Sequence, residues 1–237
     1  MRRLRLATGP AALFSALMLV ALIVFLPMRL VLGAAGVGEH GFSARSVSGS
    51  LWDGTLVEAR FGDLALGTLD ASLSPFALVI GRARVAVKDD ADTLHGAFVL
   101  GRHLRGIEGM TATLPTGNAF APLPVTALSL EDVSIRFVDD VCERAEGRVR
   151  ARLVGEVAGI ALPTDLSGIA RCEGNALLLP LASQAGTEAI ELRLSGEGRY
   201  SAALRLAPSD DAAAQRLAAT GFVAGPGGYR LSVEGRF

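Results

Sequence analysis

The sequence predicts a mainly β protein, in which a single N-terminal transmembrane helix precedes an antiparallel β-sheet or sandwich-like domain with one short C-terminal helix. An uncharged apolar run fills residues 9–26. Beyond residue 40, short stretches of alternating apolar and polar side chains are separated by Gly, Asp, Asn or Pro. A period of two is typical of half-buried strands, and regular turn signals between them indicate antiparallel pairing.

The composition indicates one folded unit outside the apolar run. The chain has 237 residues, is 50% hydrophobic and only 5% aromatic, so Val, Leu, Ile and Ala must fill its core. Its 28 glycines are scattered, which favours many turns over a flexible linker. The net charge of -1 argues against a nucleic-acid-binding protein, and Lys88 is the only lysine among many arginines. An arginine-rich surface can still pair with carboxylates of a partner.

The N-terminus divides into a cytoplasmic basic head, residues 1–8, and an anchor helix, residues 9–28. The head carries its positive charge at Arg2, Arg3 and Arg5. About 20 apolar residues span a bilayer core, and residues 9–26 are just enough when the side chains of Arg5 and Arg29 snorkel to the interface. Positive charge on the N-terminal side predicts that the head stays in the cytoplasm. Residues 29–237 would then form a periplasmic domain held at the inner membrane of a Gram-negative-type cell.

A cleaved signal peptide is the competing interpretation of this segment. Leu32, Gly33 and Ala34 resemble a cleavage site with small residues. However, the apolar stretch exceeds the usual h-region of about 7–15 residues, and Arg29 separates it from that site. The sequence therefore favours an uncleaved anchor, and a mature N-terminus at Ala35 would overturn that prediction.

The exported domain shows nine stretches with strand-like periodicity. They occupy residues 51–61, 64–73, 83–87, 94–100, 128–137, 148–153, 190–195, 198–206 and 229–235. Three prolines between the fourth and fifth stretches, Pro115, Pro122 and Pro124, indicate an irregular crossing that could separate two halves of the sheet.

One soluble helix is predicted over residues 210–219. Ser209 could cap its N-terminus, and Asp210 and Asp211 in the first turn suit the helix dipole. Gly221 is placed to end it.

The chain has two cysteines, Cys142 and Cys172. In an exported domain an even number of cysteines favours a disulfide, and a loop of this length would stabilise the fold by roughly 3–4 kcal/mol. Two buried thiols are the alternative. A metal site is less favoured, because no histidine lies near either cysteine in the sequence.

No pattern predicts catalysis, a metal or a cofactor. The histidines His40, His95 and His103 lack metal-binding spacing, and neither a nucleophile elbow nor a phosphate loop is present. The pairs Asp89-Asp90 and Asp139-Asp140 could in principle act as acid and base, but such pairs more often open turns. Trp52, within Gly49–Gly54, is either a core anchor beside a turn or a ring that docks a partner.

Several segments together resemble the type II secretion system protein N family. They are distributed in order along nearly the whole chain, at residues 25–27, 47–55, 81–85, 142, 146–150, 168–177, 179–183, 198–202, 221–222 and 229. No single segment is diagnostic, and the match depends on their common order.

The resemblance implies a non-catalytic accessory component of the machinery that exports folded proteins across the outer membrane. Its implied partners are the outer-membrane secretin and the inner-membrane assembly platform. An alternative resemblance is to AsmA-like envelope proteins, whose curved sheets form apolar grooves for lipid. A continuous apolar groove with bound phospholipid would favour that alternative.

Overall fold

The computed structural model describes residues 8–34, 42–62, 64–117, 120–208 and 210–236. The predicted basic head lies outside these residues apart from Thr8, and so do His40, Ala35 and Ser209. Within the described ranges the protein is mainly antiparallel β-sheet, as predicted.

The elements are short helices and many strands. The helices are α1 (Thr8–Val24), α2 (Met28–Ala34), α3 (Pro75–Val79) and α4 (Asp211–Ala219). The first nine strands are β1 (Phe42–Ser43), β2 (Ser46–Gly49), β3 (Gly54–Phe61), β4 (Leu64–Leu73), β5 (Arg82–Lys88), β6 (His95–Gly101), β7 (Leu104–Pro115), β8 (Val125–Val138) and β9 (Val141–Leu153). The remaining strands are β10 (Glu156–Val157), β11 (Ile160–Ala161), β12 (Asp165–Ile169), β13 (Arg171–Glu173), β14 (Ala176–Ala182), β15 (Glu188–Leu194), β16 (Arg199–Leu206), β17 (Val223–Gly225) and β18 (Gly228–Arg236).

Helix α1 has 17 residues and contains only apolar and small side chains apart from Thr8 and Ser15. Its large apolar side chains are exposed, including Leu13, Leu17, Leu22 and Val24. Among the described residues, no helix is long and apolar enough to cross a membrane.

Sixteen strands form one antiparallel sheet, in the order β1-β3-β4-β5-β6-β7-β8-β9-β12-β14-β15-β16-β18-β17, with β2 added beside β3 and β13 beside β14. Nearly every strand pairs with the one before it in the chain, so the sheet is a long meander. The pair β10-β11 is separate. Because β7 and β8 pair directly, the proline-rich loop does not divide the sheet, contrary to that expectation.

A line of backbone irregularities crosses the middle of the sheet. The β6-β7, β7-β8 and β8-β9 ladders all shift register there. Gly96, Gly109, Asp132 and Gly147 have positive φ along this line. At Gly147 the strands approach so closely that a Cβ atom would lie 2.5 Å from the Val133 Cα. Bulges bend strands and increase their twist, so this line curves the sheet.

The curved sheet buries two hydrophobic clusters. The larger one lies between strands β8, β9, β12 and β14 to β16, and contains Leu166, Leu204 and the α4 residue Leu217. The smaller one lies on β3 to β7 and contains Met28 from α2. Ile107 and Leu130 pack against both clusters, so the core continues across the bend.

Two local predictions need correction. The N-cap of α4 is Asp210, which was predicted in the first turn: this extended residue accepts a hydrogen bond from the Ala213 N–H at 2.6 Å. The stretch predicted as a strand from residue 51 begins only at Gly54, because Ser50 and Asp53 close a turn through mutual backbone hydrogen bonds. The short helices α2 and α3 were not predicted.

Candidate interaction surface

The two edges of the sheet differ. At the N-terminal side, β3 is covered by β1 along one part and by β2 along another, and α2 packs nearby. At the other side, β18 pairs with β16 over residues 199–206, but β17 covers only Gly228–Arg230. Among the described residues, no strand pairs with the outer side of residues 231–236. We call this segment the C-terminal edge.

The C-terminal edge keeps the alternation of a half-buried strand. Leu231 and Val233 pack against the larger hydrophobic cluster, whereas Ser232, Glu234 and Arg236 are exposed. Packing on one face therefore holds the backbone extended. An exposed row of backbone N–H and C=O groups can accept a further strand from another protein.

Exposed ion pairs lie on the central strands, both between strands and within one strand. Arg150 lies 3.0 Å from Glu131, and Arg193 donates hydrogen bonds to Glu191 at 2.9 Å and to Glu173 at 3.3 Å. The Glu191 carboxylate, followed by that of Glu173, raises the pKa of Arg193 above its usual value. Exposed pairs of this kind contribute little to stability, so they chiefly make the exposed surface of these strands polar.

Two cavities of about 250 and 440 Å³ open near the bend. The smaller one is lined by Ile107 and Ile135, but also by the charged side chains Glu108, Arg136, Arg144 and Glu146. The larger one includes Glu131, Asp132 and Arg148. These charged linings do not suit an acyl chain.

The candidate acid–base residues lie in turns. Asp139 and Asp140 form the two-residue turn between β8 and β9, both with positive φ, which suits a tight hairpin. Asp139 lies 2.7 Å from His103 Nδ1, and both side chains are exposed. Asp89 closes the β5-β6 turn, where its carboxylate accepts hydrogen bonds from the Leu94 N–H and the Thr93 hydroxyl.

The Leu94 N–H, and then the Thr93 hydroxyl, lower the pKa of Asp89 below its usual value. Asp89 and Asp139 lie at opposite ends of the strands and are not brought together. Within the described part of the chain, no group of three or more His, Cys, Asp or Glu side chains is arranged to hold a metal ion.

Cys142 and Cys172 form the predicted disulfide, with Cα atoms 5.5 Å apart. The bond joins β13 to the start of β9. Strand β12 pairs only with residues 148–152 of β9, so the bond lies outside that ladder. The Cys142 N–H also donates to the Asn175 carbonyl at 3.0 Å.

Trp52 lies at the tip of the β2-β3 turn and is half-buried. It belongs to neither of the two clusters formed by the described residues. Its role as a core anchor or as a docking ring stays a prediction.

The open edge itself was not identified from the sequence, although 229–235 was predicted as a strand. No local signal in this stretch marks it as an edge, because the same alternation occurs in a half-buried central strand.

Comparison with known proteins agrees with the sequence resemblance. The family model described as "Type II secretion system (T2SS), protein N" matches residues 40–232. A protein of Vibrio cholerae serotype O1 (strain ATCC 39315 / El Tor Inaba N16961), named type II secretion system protein N, is 26% identical over 213 residues, which cover 83% of this chain and 84% of that protein. No solved structure matches the chain significantly. Because the family model covers most of the sequence, from before β1 to the middle of β18, this chain belongs to the type II secretion system protein N family.

Proposed function

We propose that this chain is a non-catalytic accessory component of type II secretion, anchored in the inner membrane, that binds other secretion components through its C-terminal edge in the periplasm. Family membership makes it a component of type II secretion. The single observation that carries the proposed mode of action is the unpaired outer side of residues 231–236.

The anchoring part of the proposal is supported by α1. Its apolar side chains point outward along its length, with Leu13 65% and Phe25, just after it, 77% exposed. Such side chains are stable only in contact with lipid or with another apolar surface. With snorkelling of the flanking residues or local thinning of the bilayer, a segment of this length can serve as a membrane anchor.

The structure also supports an uncleaved N-terminal segment. Met28 is 4% exposed and packs into the smaller cluster, where it lies against Gly54. Cleavage after Ala34 would remove Met28 from this cluster and leave a void beside β3. Proteins rarely tolerate such a loss from a packed core, so retention of the segment is the simpler arrangement.

Strand addition is the mode of binding that the C-terminal edge suits. Backbone hydrogen bonds would provide affinity, and the exposed side chains Ser232, Glu234 and Arg236 would select the partner. The secretin and the inner-membrane assembly platform are the proposed partners. The charged cavities give less support to the alternative of a lipid-binding groove.

Site-specific cross-linking tests the proposal. A photoactivatable amino acid at Ser232 in the full chain, expressed in secreting cells, should cross-link to the secretin or to an inner-membrane secretion component. The matched control is the same amino acid at Arg150, an exposed position on β9 that is flanked by β8 and β12. Absence of a secretion component from the Ser232 products, or equal cross-linking from both positions, would count against the C-terminal edge.

Membrane topology is tested separately. Alkaline carbonate should leave the full chain in the membrane, and a phosphatase reporter fused to its C-terminus should be active only outside the cytoplasm. A reporter active in the cytoplasm would overturn the periplasmic location. Co-purified phospholipid, without any secretion component, would favour the lipid-binding alternative.

A further inference from the structure

The connection between β4 and β5 exposes an unusual concentration of apolar side chains. It contains helix α3, which buries none of its residues. Phe76 is 85% exposed, Val79 is 87% exposed and Ile80 is 69% exposed. We call these three residues the apolar tip. Contiguous exposed apolar side chains mark a surface that contacts a protein or a membrane.

Backbone hydrogen bonds connect the end of β4, just before the apolar tip, with the residues that follow α1. The Leu51 N–H donates to the Leu26 carbonyl at 2.9 Å, and the Leu73 N–H donates to the Leu51 carbonyl at 3.2 Å. Pro27 and Ser50 form a β-bridge beside them. Leu73 ends β4, two residues before α3 begins. The apolar tip therefore lies at the end of the sheet where α1 joins it.

The charges and aromatic residues around the apolar tip suit a phospholipid surface. Arg82 and Arg84 lie at the start of β5, directly after the apolar tip, and residues 74–84 include no acidic residue. Arg84 also pairs with Glu108 at 3.0 Å. Arg29, which follows α1 closely, is exposed as well. Trp52 lies in the turn that binds Leu26, and tryptophan is enriched at membrane interfaces. Cationic side chains near a bilayer are attracted by anionic headgroups.

We propose that the apolar tip inserts into the lipid interface of the membrane next to α1, as a second membrane contact of the β-domain. This inference rests on the proposed anchoring by α1. The tip contacts phospholipid, because it lies at the same end of the sheet as the exposed apolar helix α1 and because positively charged side chains flank it. With α1 and the apolar tip both in the membrane, the sheet is held at a defined tilt and cannot turn freely about α1.

Fluorescence quenching by lipid tests this contact. Full-length protein with Val79→Cys, labelled with an environment-sensitive fluorophore, is reconstituted into vesicles of phosphatidylethanolamine and phosphatidylglycerol. The native cysteines are bonded to each other and do not take up the label. We expect a blue-shifted emission that is lost when the vesicles contain lipids with a nitroxide in the upper acyl chain.

The matched control is Val154→Cys, since Val154 is also exposed, at 62%, but follows the far end of β9. Its label should show neither the blue shift nor the quenching. Trp52 is the only tryptophan, so its intrinsic emission in brominated-lipid vesicles provides a second measurement without any label. Quenching of Trp52 together with the Val79 label is expected.

Each way in which the proposal could fail gives a different result. If alkaline carbonate extracts the protein, the anchor proposal fails. If the protein is retained but the Val79 label is as water-exposed as the Val154 label, the apolar tip does not enter the membrane. Cross-linking from Val79 to a protein in native membranes, combined with a water-exposed label in pure lipid, would also overturn the lipid contact in favour of a protein partner.

Discussion

Cys142 at the start of β9 is bonded to Cys172 in β13, although these two strands are not neighbours in the hydrogen-bonded order of the sheet. Strand β12 pairs with β9 up to Ile169, and the chain then turns away so that β13 pairs only with β14. The disulfide therefore links two strands that form no ladder with each other, beside the single backbone hydrogen bond from the Cys142 N–H to the Asn175 carbonyl.

Removal of this bond should lower the free energy of unfolding. The cysteines are 30 residues apart, and closing a loop of this length restricts the unfolded chain by about 3–4 kcal/mol in the chain-entropy model. Urea denaturation of the full chain in detergent should show this loss for the C142A/C172A variant. Reduction of the wild-type protein serves as a control that changes no side-chain volume. Equal stability of the oxidised and reduced proteins would contradict the prediction, as would two free thiols in periplasmic material.

Gly168→Ala should disrupt the contact between β12 and β14. A Cβ atom at Gly168 would overlap the Pro180 carbonyl oxygen, which belongs to the backbone and cannot rotate away. Overpacking of this kind typically destabilises a protein by about 1–3 kcal/mol. The control is Gly225→Ala, because a Cβ atom at Gly225 meets nothing within 4 Å. Thermal unfolding of both variants measures the difference, and similar melting temperatures would show that β14 can move.

Asp210→Ala should weaken α4. The carboxylate of Asp210 accepts the hydrogen bond of the Ala213 N–H, and loss of such a cap typically reduces stability by about 1 kcal/mol. Asp210→Asn keeps an acceptor at this position and should stay within a few tenths of a kcal/mol of the wild type. Chemical denaturation of the three proteins provides the comparison. An equal loss in both variants would assign the effect to the charge and not to the cap.

Asp89 should make stability depend on pH in the acidic range. Its folded-state pKa lies below the ordinary value of 3.8, so its stabilising contribution is present above that value and is lost as the pH falls through the folded pKa. The difference in unfolding free energy between wild type and Asp89→Asn should therefore be largest at neutral pH and disappear in strong acid. Asp90→Asn removes the same charge from the same turn and is the control. A difference independent of pH would contradict this role.

The sequence allowed prediction of those strands that keep one face in solvent. Strands β5 and β18 match the alternating stretches closely, because exposed residues such as Arg84, Ser232 and Glu234 separate their half-buried residues. Strand β14 could not be recognised in this way, since Leu177, Leu178 and Leu179 are all buried and no alternation remains. In β7, Gly106 and Gly109 interrupt the pattern at the bend of the sheet.

The candidate site was predictable only in part. The disulfide followed from two cysteines in a domain with an export signal, because an even number of cysteines in an oxidising compartment favours pairing. The open edge could not be predicted in the same way. Whether β18 has a neighbour depends on the order of strands in space, and the local pattern of Tyr229–Gly235 is the same for a central and for an edge strand. The exposure of Phe76 and Val79 likewise depends on where the β4-β5 connection lies relative to the core.

The two margins of the sheet differ in the length of strand that is open to pairing with a further strand. At one margin the outermost strands are β1 and β2, of two and four residues, whereas at the other margin residues 231–236 of β18 have no outer neighbour among the described strands. A strand of five or six residues from another protein can therefore form a longer ladder at β18 than at β1 or β2. Very short edge strands limit pairing between copies of a protein, so this difference disfavours continued edge-to-edge growth through the margin formed by β1 and β2.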